Sequence, residues 1–179
     1  MASPDSVTIF DLTGQFTLNK TLSTDIDAIL TLQGVSWLMR TGIAYAVITL
    51  DVKQYKDGAG VTHIDIQQSV LSGTISGTTE NRTLDWAERE HEDHIFGKVK
   101  GQSRFAALED LDDEYLRGGW SEETQRDGVV QSEVVSLDRG WSARQVWGFE
   151  IIDGKRYYTR HVIVAKGDVR EEARLVYDY

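Results

Sequence analysis

Residues 61–104 read VTHIDIQQSVLSGTISGTTENRTLDWAEREHEDHIFGKVKGQSR, and their alternation decides the fold. Short runs broken by glycine and polar clusters are the pattern of successive antiparallel strands. Within 76–86, Thr78, Glu80, Arg82, Leu84 and Trp86 fall on one strand face, and Gly77, Thr79, Asn81, Thr83 and Asp85 on the other. The second set is small or polar throughout and belongs against water, which turns Glu80 and Arg82 inward. Charges inside a β-protein are tolerated when they are paired or line a wet cavity. The stretch therefore predicts a barrel whose pocket carries polar groups.

Upstream, runs 45–55 and 61–69 flank Lys56-Asp57-Gly58-Ala59-Gly60, a strong hairpin signal. In the second run His63, Asp65 and Gln67 share one face and Ile64, Ile66 and Gln68 the other, and the apolar pair places the latter set inward. Strands are expected near 76–85, 94–104 and 129–137. The last third is a meander, 142–152, 156–165 and 169–179, turning at Asp153-Gly154 and at Lys166-Gly167-Asp168. Eight to nine strands with short connections predict an all-β, up-and-down barrel, closed so that no edge is exposed. An opening strand lies within 7–20, with Gly14 permitting a bend. A helix follows from Asp25, capped by Ser23 or Thr24 and stopped at Gly34, and a second short helix runs from Val35 to Arg40. Two such helices between the first strands suit a lid, with Trp37, Met39 and Tyr45 near its mouth. Residues 105–120, FAALEDLDDEYLRGGW, form an acidic insert expected to cover a sheet edge.

A length of 179 residues is most simply one domain with a real core. The formal charge of −10 opposes both a nucleic-acid groove and docking on an anionic membrane. The chain has no cysteine, which excludes disulfides and thiolate sites and fits a reducing compartment. The N-terminus MASPDSVTIF lacks a basic flank and an apolar run, and the longest apolar-leaning stretch, 43–50, is too short to span a bilayer. A cytoplasmic protein is the expectation. Its oligomeric state is left open.

The segments LTGQFTLNKTLS (12–23), HIDIQQ (63–68), TTENRTLDWAEREHEDHIFGKVKGQSR (78–104), VWGFE (146–150), RHVIVAKGD (160–168) and RLVYDY (174–179) resemble the small fungal lipocalin-like proteins. The resemblance covers nearly the whole chain, and the run TLDWxxREHxDHIFGxVxG is its most particular part. It implies a calycin barrel with an internal ligand cavity. Some members resemble pericyclases of fungal polyketide–nonribosomal peptide pathways, including the type associated with pyrrocidine-like decahydrofluorene products. In that setting the barrel folds a polyene and directs a Diels–Alder closure. The motifs mark the family as a whole and do not separate a cyclase from a carrier. Fatty-acid-binding barrels place an Arg and a Tyr two apart on the last strand to hold a carboxylate. Here Arg174 and Tyr177 are three apart and point to opposite faces, which weakens simple fatty-acid binding.

Other chemistry finds little support. His91 and His94 in HEDH would face opposite sides of a strand, and no further ligands cluster at metal-binding spacing. No GxSxG elbow occurs, and neither GVSWLMRTG (34–42) nor SGTISGTT (72–79) sits in the strand–turn–helix setting of a phosphate loop. The acid pairs Glu109/Asp110, Asp112/Asp113 and Glu122/Glu123 read as a solvated face. No metal and no cofactor is therefore expected.

The remaining candidates point into the barrel. Glu80 and Arg82 form either a buried salt bridge that sets register or a substrate-facing pair. Trp147, with Phe149 and Ile151, is either core or a cavity wall; Ile64, Ile66 and Leu84 extend that wall. His161 shares a face with Tyr157, Thr159 and Ile163, and Arg160 shares the other with Tyr158, Val162 and Val164. Both faces are mixed, so periodicity does not orient His161. Under the pericyclase reading, Gln68, Arg82, His161 or Tyr177 would donate a hydrogen bond to an activating carbonyl. The partner is a hydrophobic small molecule, bound either by a cyclase or by a carrier; a third reading is a structural protein whose side chains fill the cavity.

Overall fold

The computed structural model describes residues 1–71 and 77–179. The segment 72–79, weighed above as a phosphate loop, falls largely outside them. The described chain forms ten antiparallel strands: β1 Gly14–Leu18, β2 Val47–Lys56, β3 Thr62–Leu71, β4 Thr78–Thr83, β5 Arg89–Asp93, β6 Gly97–Ala106, β7 Val129–Ser136, β8 Ser142–Ile152, β9 Lys155–Lys166 and β10 Val169–Asp178. They make one sheet in the order β4-β3-β2-β1-β10-β9-β8-β7-β6-β5, which curls into a nearly closed barrel. The expected all-β barrel is thus observed, with corrections.

The barrel is not fully closed, because β4 and β5 end the sheet without pairing. The chain between them cannot make a tight hairpin. Leu84 N–H still donates to Thr62 O on β3 (2.9 Å), but Trp86 N–H donates across the seam to Ser103 O on β6 (2.9 Å). Trp86 takes a positive φ of 59°, and Asp85 caps the turn by accepting from Ala87 N–H. The indole of Trp86 is covered by the Arg104 guanidinium at 4.4 Å. This crossing also accounts for the strand count, since 89–93 returns as the separate strand β5.

The turns behave as their residues dictate. Asp153 and Gly154 both adopt positive φ, the conformation of a two-residue hairpin whose twist matches its strands. It pairs Ile152 with Lys155 and, counting back, Trp147 with Arg160. Between β1 and β2 lie α1 Asp27–Leu32 and α2 Trp37–Tyr45. The first begins two residues later than expected and without a side-chain cap, while Gly34, at φ 74°, ends its run. The second is capped by Ser36 Oγ, which accepts from Met39 N–H (3.3 Å). Lys20 Nζ donates to Ile43 O and Ala44 O (3.1 and 2.6 Å), fastening the end of α2 to the barrel rim.

The interior divides in two. At the end away from the helices, Val7, Ile9 and Leu12 of the N-terminal segment plug the barrel against Phe16, Leu50, Ile64, Ile66, Trp147, Phe149 and Tyr158. Arg156 seals this plug: it stacks 3.7 Å over Phe149, donates to Pro4 O and Val7 O, and pairs with Glu123 at 2.7 Å. At the other end, Leu30, Val35 and Ile43 of the helical segment pack on Ile48 and Ile95. No helix among the described residues is long and apolar enough to cross a membrane.

The acidic insert does not cover a sheet edge. It folds as a 3-10 turn (Leu108–Asp110), α3 Glu114–Arg117 and α4 Glu122–Asp127, and lies on the outer wall of the barrel. Leu111, Leu116 and Trp120 pack there on Val146 and Ile163. Most of its acids face water, Asp113 pairing with Arg170, while its few apolar residues, spaced for one face, find cover against β8 and β9. Gly148 makes the approach possible: a Cβ there would stand 2.7 Å from Thr124 Cγ2 and 3.0 Å from the Trp120 ring. Gly148→Ala should therefore lift the insert and lower stability by about 1–3 kcal/mol, measured by urea denaturation. An unchanged midpoint would remove this packing from the account.

Candidate functional site

A cavity of about 380 Å³ occupies the helix-capped half of the barrel. Its upper walls are apolar, from Leu18, Ile29, Leu30, Val70, Phe96, Val99, Trp141, Val162 and Leu175 among others. Its floor is polar. Gln68 on β3, Glu80 and Arg82 on β4, Gln145 on β8, Arg160 on β9 and Tyr177 on β10 converge there from separate strands. The seam residues Asn81, Thr83, Arg89, Glu90 and His91 form part of the rim.

Alternation and register place these groups. Glu80 pairs with Ile66 and Arg82 with Ile64, so both follow those isoleucines inward. Arg160 stands opposite Trp147 on one side and opposite Leu175 on the other. Its guanidinium carbon lies 4.0 Å from the centre of the Trp147 ring, a cation–π contact in a desolvated setting. Arg160 Nε donates to the Tyr158 hydroxyl at 2.9 Å, and Nη1 stands 3.8 Å from Glu80 Oε2. The same carboxylate oxygen accepts from Arg82 Nη2 at 3.2 Å, while Arg82 Nη1 donates to Ser132 Oγ at 3.0 Å.

The floor is electrostatically unbalanced. Burial pushes the Glu80 carboxyl up, but Arg82 and Arg160 outweigh it and hold Glu80 below the usual carboxylate range. Burial also pulls the Arg160 pKa down, yet Tyr158, Tyr177 and Glu80 around it raise it on balance, so it stays charged. Burial pushes the hydroxyls of Tyr158 and Tyr177 up, keeping both neutral and able to donate. Two guanidinium groups thus share one carboxylate. Arg160 Nη2 and Arg82 Nε are buried without a hydrogen-bond partner among the described residues. Such orphaned donors call for explanation in a native interior.

The sequence-predicted residues scatter across this geometry. Gln68, Glu80, Arg82 and Tyr177 come together on the floor. Ile64, Ile66, Trp147 and Phe149 are buried in the packed half below it, with Leu84 beside them, so they support the floor without lining the cavity. Ile151, one residue before the end of β8, is exposed. In the lid, Met39 packs against the cluster beneath the helices, whereas Trp37 and Tyr45 are 70% and 88% exposed and point away from the mouth. The rotation of α2 decides this, because Ile43 takes the inward stripe and leaves positions 37, 41 and 45 outside.

His161 is placed on the opposite side of the wall. It is 4% exposed yet faces outward beneath the insert, stacked on Trp120 with ring centroids 4.1 Å apart. Its Nδ1 lies 3.1 Å from Tyr115 O and its Nε2 3.1 Å from Glu150 Oε1. It serves to anchor the insert and does not reach the cavity. The inward partner on that strand is Arg160, the residue that periodicity alone did not select. A signal was present: the two-residue Asp153-Gly154 turn sets Arg160 opposite Trp147, and the Gly167-Asp168 turn sets Tyr158 opposite Tyr177. The last-strand pair behaves as its spacing requires, with Tyr177 inward and Arg174 turned toward Glu150 outside.

Glu80→Gln should lower stability at pH 7 by about 1–3 kcal/mol, because both guanidinium groups lose their shared counterion. Glu80's folded pKa lies below its unfolded value of about 4.3. Its contribution is therefore complete above that value and lost as pH falls through the folded pKa. Denaturation midpoints across acid pH should converge for the two proteins, and parallel curves would exclude this role.

No protein-family model matches the chain. It is 33% identical over 181 aligned residues to the probable pericyclase scpY of Mollisia scopiformis, covering 99% of this chain and 94% of that protein. It is 31% identical to the pericyclase pydY of an Acremonium species, covering 100% and 97% respectively. Among solved structures, the fatty-acid-binding protein of Schistosoma mansoni in complex with arachidonic acid superposes with a TM-score of 0.58 at 18% identity, over 96% of this chain and 97% of that one. The fluorescent protein UnaG gives 0.54 at 16% identity, over 92% and 94%. These structures share the fold. Likeness to the two pericyclases runs the full length of the barrel, and the chain belongs to their family of small fungal calycin-type proteins.

Proposed function

We propose that the barrel binds a small, mostly hydrophobic molecule with one polar end. The observation that carries this is the cavity itself: an apolar chamber of about 380 Å³ closed on a polar floor. That volume falls in the range of small-molecule sites, and the mixture of greasy walls with a few convergent polar groups is their usual make-up. The tail of the ligand lies under the helices among Ile29, Phe96, Trp141 and Val162, and its polar end reaches Arg82, Arg160, Gln68 and Tyr177.

A second reading, pericyclase catalysis, is favoured by the names carried by the two full-length relatives. Such a reaction asks little of the protein beyond shape and polarisation. A flexible polyene loses entropy on reaching its reactive fold, and a rigid cavity supplies that ordering on binding. Hydrogen bonds from Arg82 or Arg160 to a carbonyl conjugated with the dienophile would lower the barrier to the extent that they strengthen in the transition state. The Trp147–Arg160 stack holds one donor rigidly, so little reorganisation is needed.

Ala143 is buried on the cavity wall. Ala143→Phe should fill the chamber and weaken binding of a neutral hydrophobic fluorophore at least about tenfold, since the ligand's apolar area is no longer covered. Retained affinity would place the ligand elsewhere. For catalysis, incubation with a linear polyene–tetramic acid precursor should speed formation of one cyclised stereoisomer. Arg82→Met should slow this about 10- to 100-fold while sparing neutral-ligand binding. Binding with an unaltered isomer ratio would favour the carrier.

A further inference from the structure

We infer that Gln145 is a further binding group of the chamber, a neutral hydrogen-bond donor of fixed direction that takes an uncharged carbonyl oxygen of the ligand, from a ketone or an amide. The inference rests on the ligand-binding reading above. It adds to that reading a neutral acceptor on the occupant and the side chain that recognises it.

Alternation places Gln145 on the inward row of β8, between Ala143 and Trp147. Both neighbours are buried, at 2% and 0% exposure, whereas Gln145 keeps accessible surface and lines the cavity. Val162, its register partner on β9, lines the same cavity, so that surface opens into the chamber. The direction of the amide follows from Trp147. An indole N–H can only donate, and Trp147 Nε1 donates to Gln145 Oε1 at 3.1 Å. Turning the amide over would set an NH2 group against that N–H and leave a buried donor without an acceptor, at the full cost of its desolvation. The oxygen is therefore held by the indole, and the NH2 group is turned away from it.

That NH2 group makes no hydrogen bond to another described residue. Ser132, the facing residue on β7, does not take it, because Ser132 Oγ already accepts from Arg82 Nη1 at 3.0 Å and from Ser103 Oγ at 3.3 Å. Val162 offers only hydrocarbon. An oriented donor thus faces an otherwise apolar wall. Being uncharged, it matches a neutral carbonyl oxygen, whereas full anions are better served by charged donors. The same geometry discriminates against a ligand N–H that seeks an acceptor here, since Gln145 Oε1 is turned to the indole. One inward position nearer the helices, Ala143 is small and buried in apolar company. The carbonyl therefore sits just above the Trp147 layer, with hydrocarbon continuing beyond it.

The test is displacement of a neutral hydrophobic fluorophore from the intact protein by 2-undecanone and by 2-methyl-1-undecene, which differ only in C=O against C=CH2. The ketone should bind about three- to tenfold more tightly. Gln145→Met keeps the length of the side chain and loses the amide; it should remove most of that preference and leave alkene affinity within about twofold. Gln145→Glu, whose carboxylate still accepts from Trp147 but has no N–H to give, should lose the preference as well. This second variant keeps the inference testable if the first does not fold. A ketone preference that survives in a folded variant would overturn the assignment, and so would equal affinity of the unaltered protein for ketone and alkene. In either case, binding of the alkene would leave the ligand reading standing. Failure of both compounds to displace the fluorophore would remove that reading for simple hydrophobic molecules, and the Gln145 assignment with it.

Discussion

A single stacked cation divides this barrel into two halves. Arg160 lies on Trp147, is held by Tyr158 and shares Glu80 with Arg82, and everything below that layer is packed solid. Above it the walls remain apolar and packed on their neighbours, and they enclose the chamber. A guanidinium is wide and flat, so the layer forms the floor of the chamber. Without it, the aromatic core and the chamber would be one continuous greasy space with no preferred orientation for an occupant.

The cost of that floor is borne by its surroundings. Buried charge survives only where neighbours are fixed. Register supplies that fixity: two tight turns, at Asp153-Gly154 and Gly167-Asp168, set Trp147, Arg160 and Leu175 side by side across three strands. The insert adds rigidity from behind. His161, next in sequence to Arg160, is clamped outside between Trp120, Tyr115 and Glu150, so the backbone carrying the guanidinium is held from both faces. The seam between β4 and β5 is the counterpart to this stiffness. There Trp86 carries the chain from β4 across to β6, and polar residues border the chamber where strand pairing stops.

Much of this was legible from residue order. The polar set Gly77 to Asp85 turned Glu80 and Arg82 inward, and the HIDIQQ alternation turned Gln68 the same way, as the structure places them. The two helices between the first strands followed from Gly34 and the apolar spacing around it. Three features were not legible in the same way. The insert's apolar residues read only as weak helical spacing, because the surface that covers them, β8 and β9, lies distant in sequence. Trp37 and Tyr45 read as lid residues, but a short amphipathic helix fixes its rotation only against the neighbours it meets. His161 and Arg160 were indistinguishable because both faces of their strand are buried, one by the barrel and one by the insert, which erases the polar-out signal that alternation relies on.

By itself, then, the order of residues determined the class of fold, the meander and its turns, the helical lid and the inward direction of the β4 charges. These depend on period-two patterning and on local turn chemistry, both of which are carried within a few residues. Tertiary structure alone decided that the barrel stays open at one seam, that its lower half is filled and its upper half empty, and that Arg160 caps the boundary. Those outcomes depend on which residues from distant strands share a layer, and on whether their summed volumes fill it. No local pattern encodes that sum.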